Sequence, residues 1–197
     1  MKLLLYCTKA KPILFKPFEW DCFPNDEASR FYLGDSKTIE IDEELNGKIV
    51  AECEFEVEKI VCVLRNTKEK GFFEEYTTKS LSEKELLYAS KIDEISFINY
   101  LDSKDGYGIH IKNLHIFGKP KELNDYYKTS KINTFDGYDL VNESIDKAPQ
   151  NMMYCYNEKG KKYALISIRP KWLCKILNGE KTIEVRKKVL KEMLNDK

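Results

Sequence analysis

Lys181, Thr182, Glu184 and Arg186 crowd one short segment near the C-terminus, just after Gly179. If that segment is a strand, its period of two puts Thr182, Glu184 and Arg186 on one face and Ile183 and Val185 on the other. Lys181 would emerge just after the turn that Gly179 permits. Such a set can do recognition chemistry. Arg and Lys bind a phosphate or a polarised carbonyl, a carboxylate accepts from an exocyclic amine, and a threonine hydroxyl donates or accepts. A flipped or single-stranded base held by these groups, against the ring of Trp172 or Tyr6, is the physical picture they suggest. A plainer alternative stands beside it. Glu184 and Arg186 would then form an exposed ion pair worth at most about 1 kcal/mol, and Trp172 would be a core anchor on an apolar helical stripe.

The elements that must position this set are clearly written. Tyr163 to Ile168 reads as a strand, and Pro170 occupies the first position of a helix, where its missing N–H costs nothing. Along that helix Trp172, Leu173, Ile176 and Leu177 form an apolar stripe, with Lys171, Lys175 and Asn178 opposite. Further upstream, Ile49, Ala51, Cys53, Phe55 and Val57 alternate with Glu52, Glu54, Glu56 and Glu58, the pattern of a strand with one packed and one solvated face. Ser82 and Glu85 make a capping box ahead of one or two helices reaching Leu101. After an Asp105–Gly106 turn, Tyr107 to Phe117 reads as a long, bent strand. The opening Lys2 to Thr8 reads as a buried strand. Residues 14–46 are an irregular aromatic insertion, and 122–162 a polar connector over the surface. Lys187 to Lys197 reads as a basic helix or tail.

Composition bounds the class. A chain of 197 residues, 42% hydrophobic and 34% charged, supports one globular domain, and no apolar run approaches the roughly 20 residues of a membrane span. No export signal is visible, and six scattered cysteines without a C-x-x-C pair read as reduced, buried thiols of a cytoplasmic protein. With only His110 and His115 as imidazoles, neither a metal site nor a cofactor is expected. Basic and acidic residues balance at 33 each, which argues against coating nucleic acid by bulk charge. The distribution is uneven, however: from Glu158 onward there are 12 basic and 5 acidic residues. A polyanion-facing surface and a solvated basic tail both fit that asymmetry.

The run Ile166-Ser-Ile-Arg-Pro170, a helix, then Asn178-Gly-Glu-Lys-Thr-Ile-Glu-Val-Arg-Lys187, resembles the signature of ASCH domains, a branch of the PUA-like superfamily. Gly47 to Ile60 and Tyr107 to Lys121 resemble later strands of that domain, as does Leu5 to Pro12. In ASCH domains the signature comes first, whereas here it comes last, so the resemblance implies a circular permutation with 122–162 as the new bridge. A domain-swapped dimer satisfies the same order. The implied fold is α+β: a PUA-like (ASCH) mixed β-barrel with flanking helices, circularly permuted. It would form a single domain over 1–197, with its core in 1–13, 47–121 and 163–188.

The resemblance implies a binding protein that recognises RNA or a modified nucleobase or nucleotide, through Arg169, Lys171, Lys181, Thr182, Glu184, Arg186, Tyr6 and Lys9. Some ASCH proteins are instead amidohydrolases acting on N4-acetylcytidine, and others are associated with RNA cleavage. In the hydrolase pattern a lysine, matched by Lys181, acts with a threonine and a distant glutamate. Glu184 stands at the position of that threonine, with Thr182 close by, and the distant glutamate is unassigned among Glu74, Glu75, Glu83 and Glu85. In such an enzyme burial and cationic neighbours would lower the pKa of Lys181 and make it a usable base. A third reading takes the aromatic insertion as a protein-contact module with a vestigial cleft.

Overall fold

The computed structural model describes residues 1–8, 31–33, 37–39, 45–69, 71–134 and 137–194. Lys9, Cys22 and most of the 14–46 insertion lie outside them. The described chain is a mixed α+β fold, with a sheet curled into a half-barrel and three helices packed on it. Its centre is β1 (Lys2–Cys7), in which Leu3, Leu4 and Leu5 are all fully buried. A strand covered on both faces needs apolar residues at successive positions, which is why this one reads as a run rather than an alternation. Each such leucine contributes roughly 1.5–3 kcal/mol of burial.

On one side β1 pairs antiparallel with β4 (Ile49–Thr67). On the other it runs parallel to β10 (Lys162–Ile168), from Lys2 opposite Tyr163 to Cys7 opposite Ile168. The two ends of the chain are therefore neighbours in the sheet, as the sequence reading requires. Beyond β4 lie β6 (Gly106–Lys121) and the edge strand β11 (Ile183–Arg186), while β5 (Gly71–Thr77) pairs with the far half of β4. Beyond β10 lie β9 (Met152–Tyr156), β7 (Tyr127–Thr134) and β8 (Gly137–Ser144). A separate hairpin joins β2 (Phe31–Leu33) to β3 (Lys37–Ile39).

Three strands thus occupy the stretch expected to be a surface connector. The segment is anchored where Tyr126, Ile145 and Cys155 enter a core cluster with Leu4, Tyr6, Tyr163 and Leu165. Leu3, Leu5, Cys7, Ala164, Ile166 and Ile168 point to the opposite face, against α3 (Pro170–Leu177). A third cluster packs α1 (Glu83–Ser90) and α2 (Glu94–Leu101) onto Ile60, Ile183 and Val185. The capping box forms as expected, the Ser82 backbone N–H donating to the Glu85 carboxylate at 2.9 Å.

The β4 alternation holds from Ala51 to Phe55, but Ile49 turns to the other face because the pairing register shifts beside it. Of the glutamate row, Glu54 and Glu56 face solvent. Glu52 and Glu58 are partly covered and bonded to Lys2 and Ser80. Burial pushes the thiols of Cys7, Cys53 and Cys155 up to about 12, so they behave as protonated hydrophobic groups.

Candidate functional site

The end of α3 aims the motif inward. Gly179 takes a positive φ of 80°, the Lys181 N–H donates to the Lys175 carbonyl at 2.8 Å, and the Thr182 N–H donates to the Ala89 carbonyl at 3.0 Å. The chain is thereby stapled to the ends of α3 and α1 before it enters β11. Ile183 and Val185 then point into the third cluster, and Glu184 and Arg186 point the other way, into a cleft of about 490 Å³ between β10, β11, α2 and α3.

Three charges lie at the base of this cleft. The Lys181 side chain is only 1% exposed, and Nζ donates to the Ser90 carbonyl at 2.6 Å. Ser90 ends α1, whose last turn carries no basic residue of its own. Lys181, 91 positions away, supplies the cation that the unpaired carbonyls of a helix C-terminus favour. Glu184 sits between two cations, with Oε2 3.4 Å from Lys181 Nζ and Oε1 2.9 Å from an Arg186 terminal nitrogen. The guanidinium of Arg186 also donates to the Ser167 carbonyl at 2.7 Å and to Asn151 Oδ1 at 3.2 Å, so it bridges β11 to β10 across the curl of the sheet. Its Nε is buried without a partner, the one such side-chain atom among the described residues.

Above this floor stand two rings. Trp172 lines the cleft while its remaining surface packs against the α3 core cluster, so it is both anchor and wall. Its ring centroid lies 5.2 Å from Lys181 Nζ, within cation–π range. Tyr100 lines the cleft from α2, with Ser96 and Ile92, while Thr8, Gln150, Ser167 and Arg169 complete the rim. A larger hollow of about 600 Å³ along β7 and β8 is lined without any buried charged side chain.

Of the candidate residues, the fold brings Arg169, Lys181, Glu184 and Arg186 together. Thr182 is exposed and does not line the cleft, because β11 begins only at Ile183 and the residue before it is held by backbone bonds to Ala89 and Ile111. Tyr6 is 5% exposed and packs in the second core cluster, on the side of β1 opposite Leu5 and Cys7. Lys171 is exposed on α3 outside the lining. Sequence reasoning missed Tyr100, Ser96, Thr8 and the Ser90 carbonyl. The α2 periodicity gives no sign of which face meets a segment so far along the chain, and a backbone carbonyl leaves no sequence signal.

Burial holds the pKa of Lys181 below its ordinary 10.5, with Arg186 and Lys175 acting in the same direction and Glu184 opposing them. In the window between the folded-state pKa and 10.5, the unfolded chain binds the extra proton, so stability contributed by this residue rises with pH. Wild type should therefore gain stability relative to Lys181→Met as pH is raised from neutral toward 10, measured by urea denaturation of both proteins. Groups remote from Lys181 cancel in that difference, and a falling difference would contradict the assignment.

Comparison with protein-family models, with curated proteins and with solved structures returns no match.

Proposed function

We propose that the chain is a circularly permuted ASCH-like, PUA-like barrel protein that binds a nucleobase, in RNA or as a modified nucleoside, in the cleft between Trp172 and Tyr100. The observation that carries this reading is the buried Lys181–Glu184–Arg186 group at the base of a cleft with aromatic walls. A base edge presents donors and acceptors side by side, and this floor offers their complements. Glu184 can accept from an exocyclic amine, and the Arg186 guanidinium beside it can donate to a ring carbonyl or ring nitrogen. The order of the strands supports the permutation: the N-terminal β1 runs parallel to β10, the first strand of the signature, so segments from the two ends of the chain belong to one sheet.

Titration with a panel of nucleosides, including cytidine and N4-acetylcytidine, tests the proposal by calorimetry or by tryptophan fluorescence. One-to-one binding of at least one member is expected. Trp172→Leu should weaken it by about tenfold or more, since stacking of a base on an aromatic ring contributes roughly 1–3 kcal/mol. Equal affinity in that variant would remove the ring from the site.

The second reading, an amidohydrolase of an acylated nucleoside, is favoured by one observation, the lowered pKa of a lysine that lines the cleft. Lys181 would serve as the base. Thr182 points out of the site, so Thr8 on the rim is the threonine available there. Release of cytidine from N4-acetylcytidine distinguishes enzyme from binding protein.

A further inference from the structure

We infer that the mouth of this cleft is a phosphate subsite, so that the ligand is a phosphorylated nucleotide rather than a neutral nucleoside. The inference rests on the nucleobase reading above and extends it from the ring to the charge the ring carries. Both aromatic walls are flanked by ammonium groups. Lys171 and Lys175 lie 5.3 and 5.8 Å from the Trp172 ring centroid, and Lys187 lies 5.5 Å from that of Tyr100. Arg169, exposed at the start of α3, lines the cleft directly.

None of these four cations forms an ion pair among the described residues, whereas Lys2 and Lys59, for example, are held by Glu52 and Asp105. Asp93 lies within electrostatic range of Lys171 but accepts from the Ser96 N–H, and Asp102, in range of Lys187, is paired with Lys104, so neither closes an ion pair with these cations. Lys171 and Lys175 stand one helical turn apart and repel each other. Below them the Glu184 carboxylate is already held by Lys181 and Arg186, so the floor does not offset the charge at the mouth. A neutral nucleoside leaves that charge uncompensated. A phosphate monoester, carrying close to two negative charges near neutral pH, offsets it through charge-assisted hydrogen bonds. The cleft volume of about 490 Å³ falls within the range of small-ligand sites and leaves room for sugar and phosphate beyond the ring.

The test compares cytidine, cytidine 5′-monophosphate, cytidine 3′-monophosphate and inorganic phosphate by calorimetry at low salt. At least one monophosphate is expected to bind about tenfold or more tightly than cytidine. That ratio should shrink as salt is raised and approach one in an Arg169→Gln, Lys171→Gln double variant. Equal affinity for nucleoside and monophosphates, or a preference that survives the double variant, overturns the phosphate subsite while leaving the nucleobase reading intact. Binding of inorganic phosphate alone, lost in the double variant, supports the subsite and counts against the nucleobase. Absence of binding by every probe overturns both.

Discussion

Glu184→Gln should lower the stability of the protein by about 3–5 kcal/mol, the usual cost of leaving a buried charge without its partner. The carboxylate is 9% exposed and lies between two cations that are themselves 1% and 14% exposed. Removing its charge turns an attractive arrangement into two confined positive groups facing a neutral amide. For a chain of this length such a loss corresponds to a fall in melting temperature of about 10 °C, measurable by calorimetry or circular dichroism. The same change at Glu56, whose partner Lys112 is half exposed, should leave the midpoint unchanged. Adding Lys181→Met to Glu184→Gln should cost less than the sum of the two single changes, because one of the stranded cations is then gone. A midpoint for Glu184→Gln equal to that of wild type would mean that water reaches these charges and that the cleft floor is not dry.

Arg186→Met is expected to cost about 2–4 kcal/mol, by a different route. Its guanidinium is the tie between β11 and the end of β10, and without it the Ser167 carbonyl, Asn151 Oδ1 and Glu184 Oε1 all lose a donor in a mostly buried place. The damage should be local. Amide hydrogen exchange is expected to quicken in β11 and in residues 149–151, while β1 and β4 at the centre of the sheet stay protected. Arg186→Lys should not restore protection, since an ammonium cannot span three acceptors with the geometry of a planar fork. Uniformly faster exchange across the sheet would show that Arg186 supports global stability rather than the closure of the curl.

The parts of this fold that were legible in the sequence are those where one residue type does one job. Pro170 and Gly179 bracket α3, the glutamates of β4 mark a strand with an outer face, and the pairing of β1 with a strand near the C-terminus is what the family resemblance implied. Two kinds of feature were not legible. The hairpin of β7 and β8 lies at the far edge of the sheet, and its Lys-, Thr- and Asn-rich strands show no apolar alternation, so a period of two has nothing to display. The second kind is position by backbone. Thr182 shares the parity of Glu184, but its own N–H and C=O are held by Ala89 and Ile111, which turn it out of the site. Tyr6 carries a ring suited to stacking, yet the pleat of β1 assigns it to the second core cluster. Lys181 shows the opposite case: a residue type usually found in water is sequestered because the end of α1 lacks a cation of its own.

The most direct test is a crystal structure of the protein soaked with a cytidine ligand that binds in solution. Density for the ring between Trp172 and Tyr100, with its polar edge on Glu184 and Arg186, is the expected result. Density elsewhere on the surface, with the cleft holding only solvent, would contradict it.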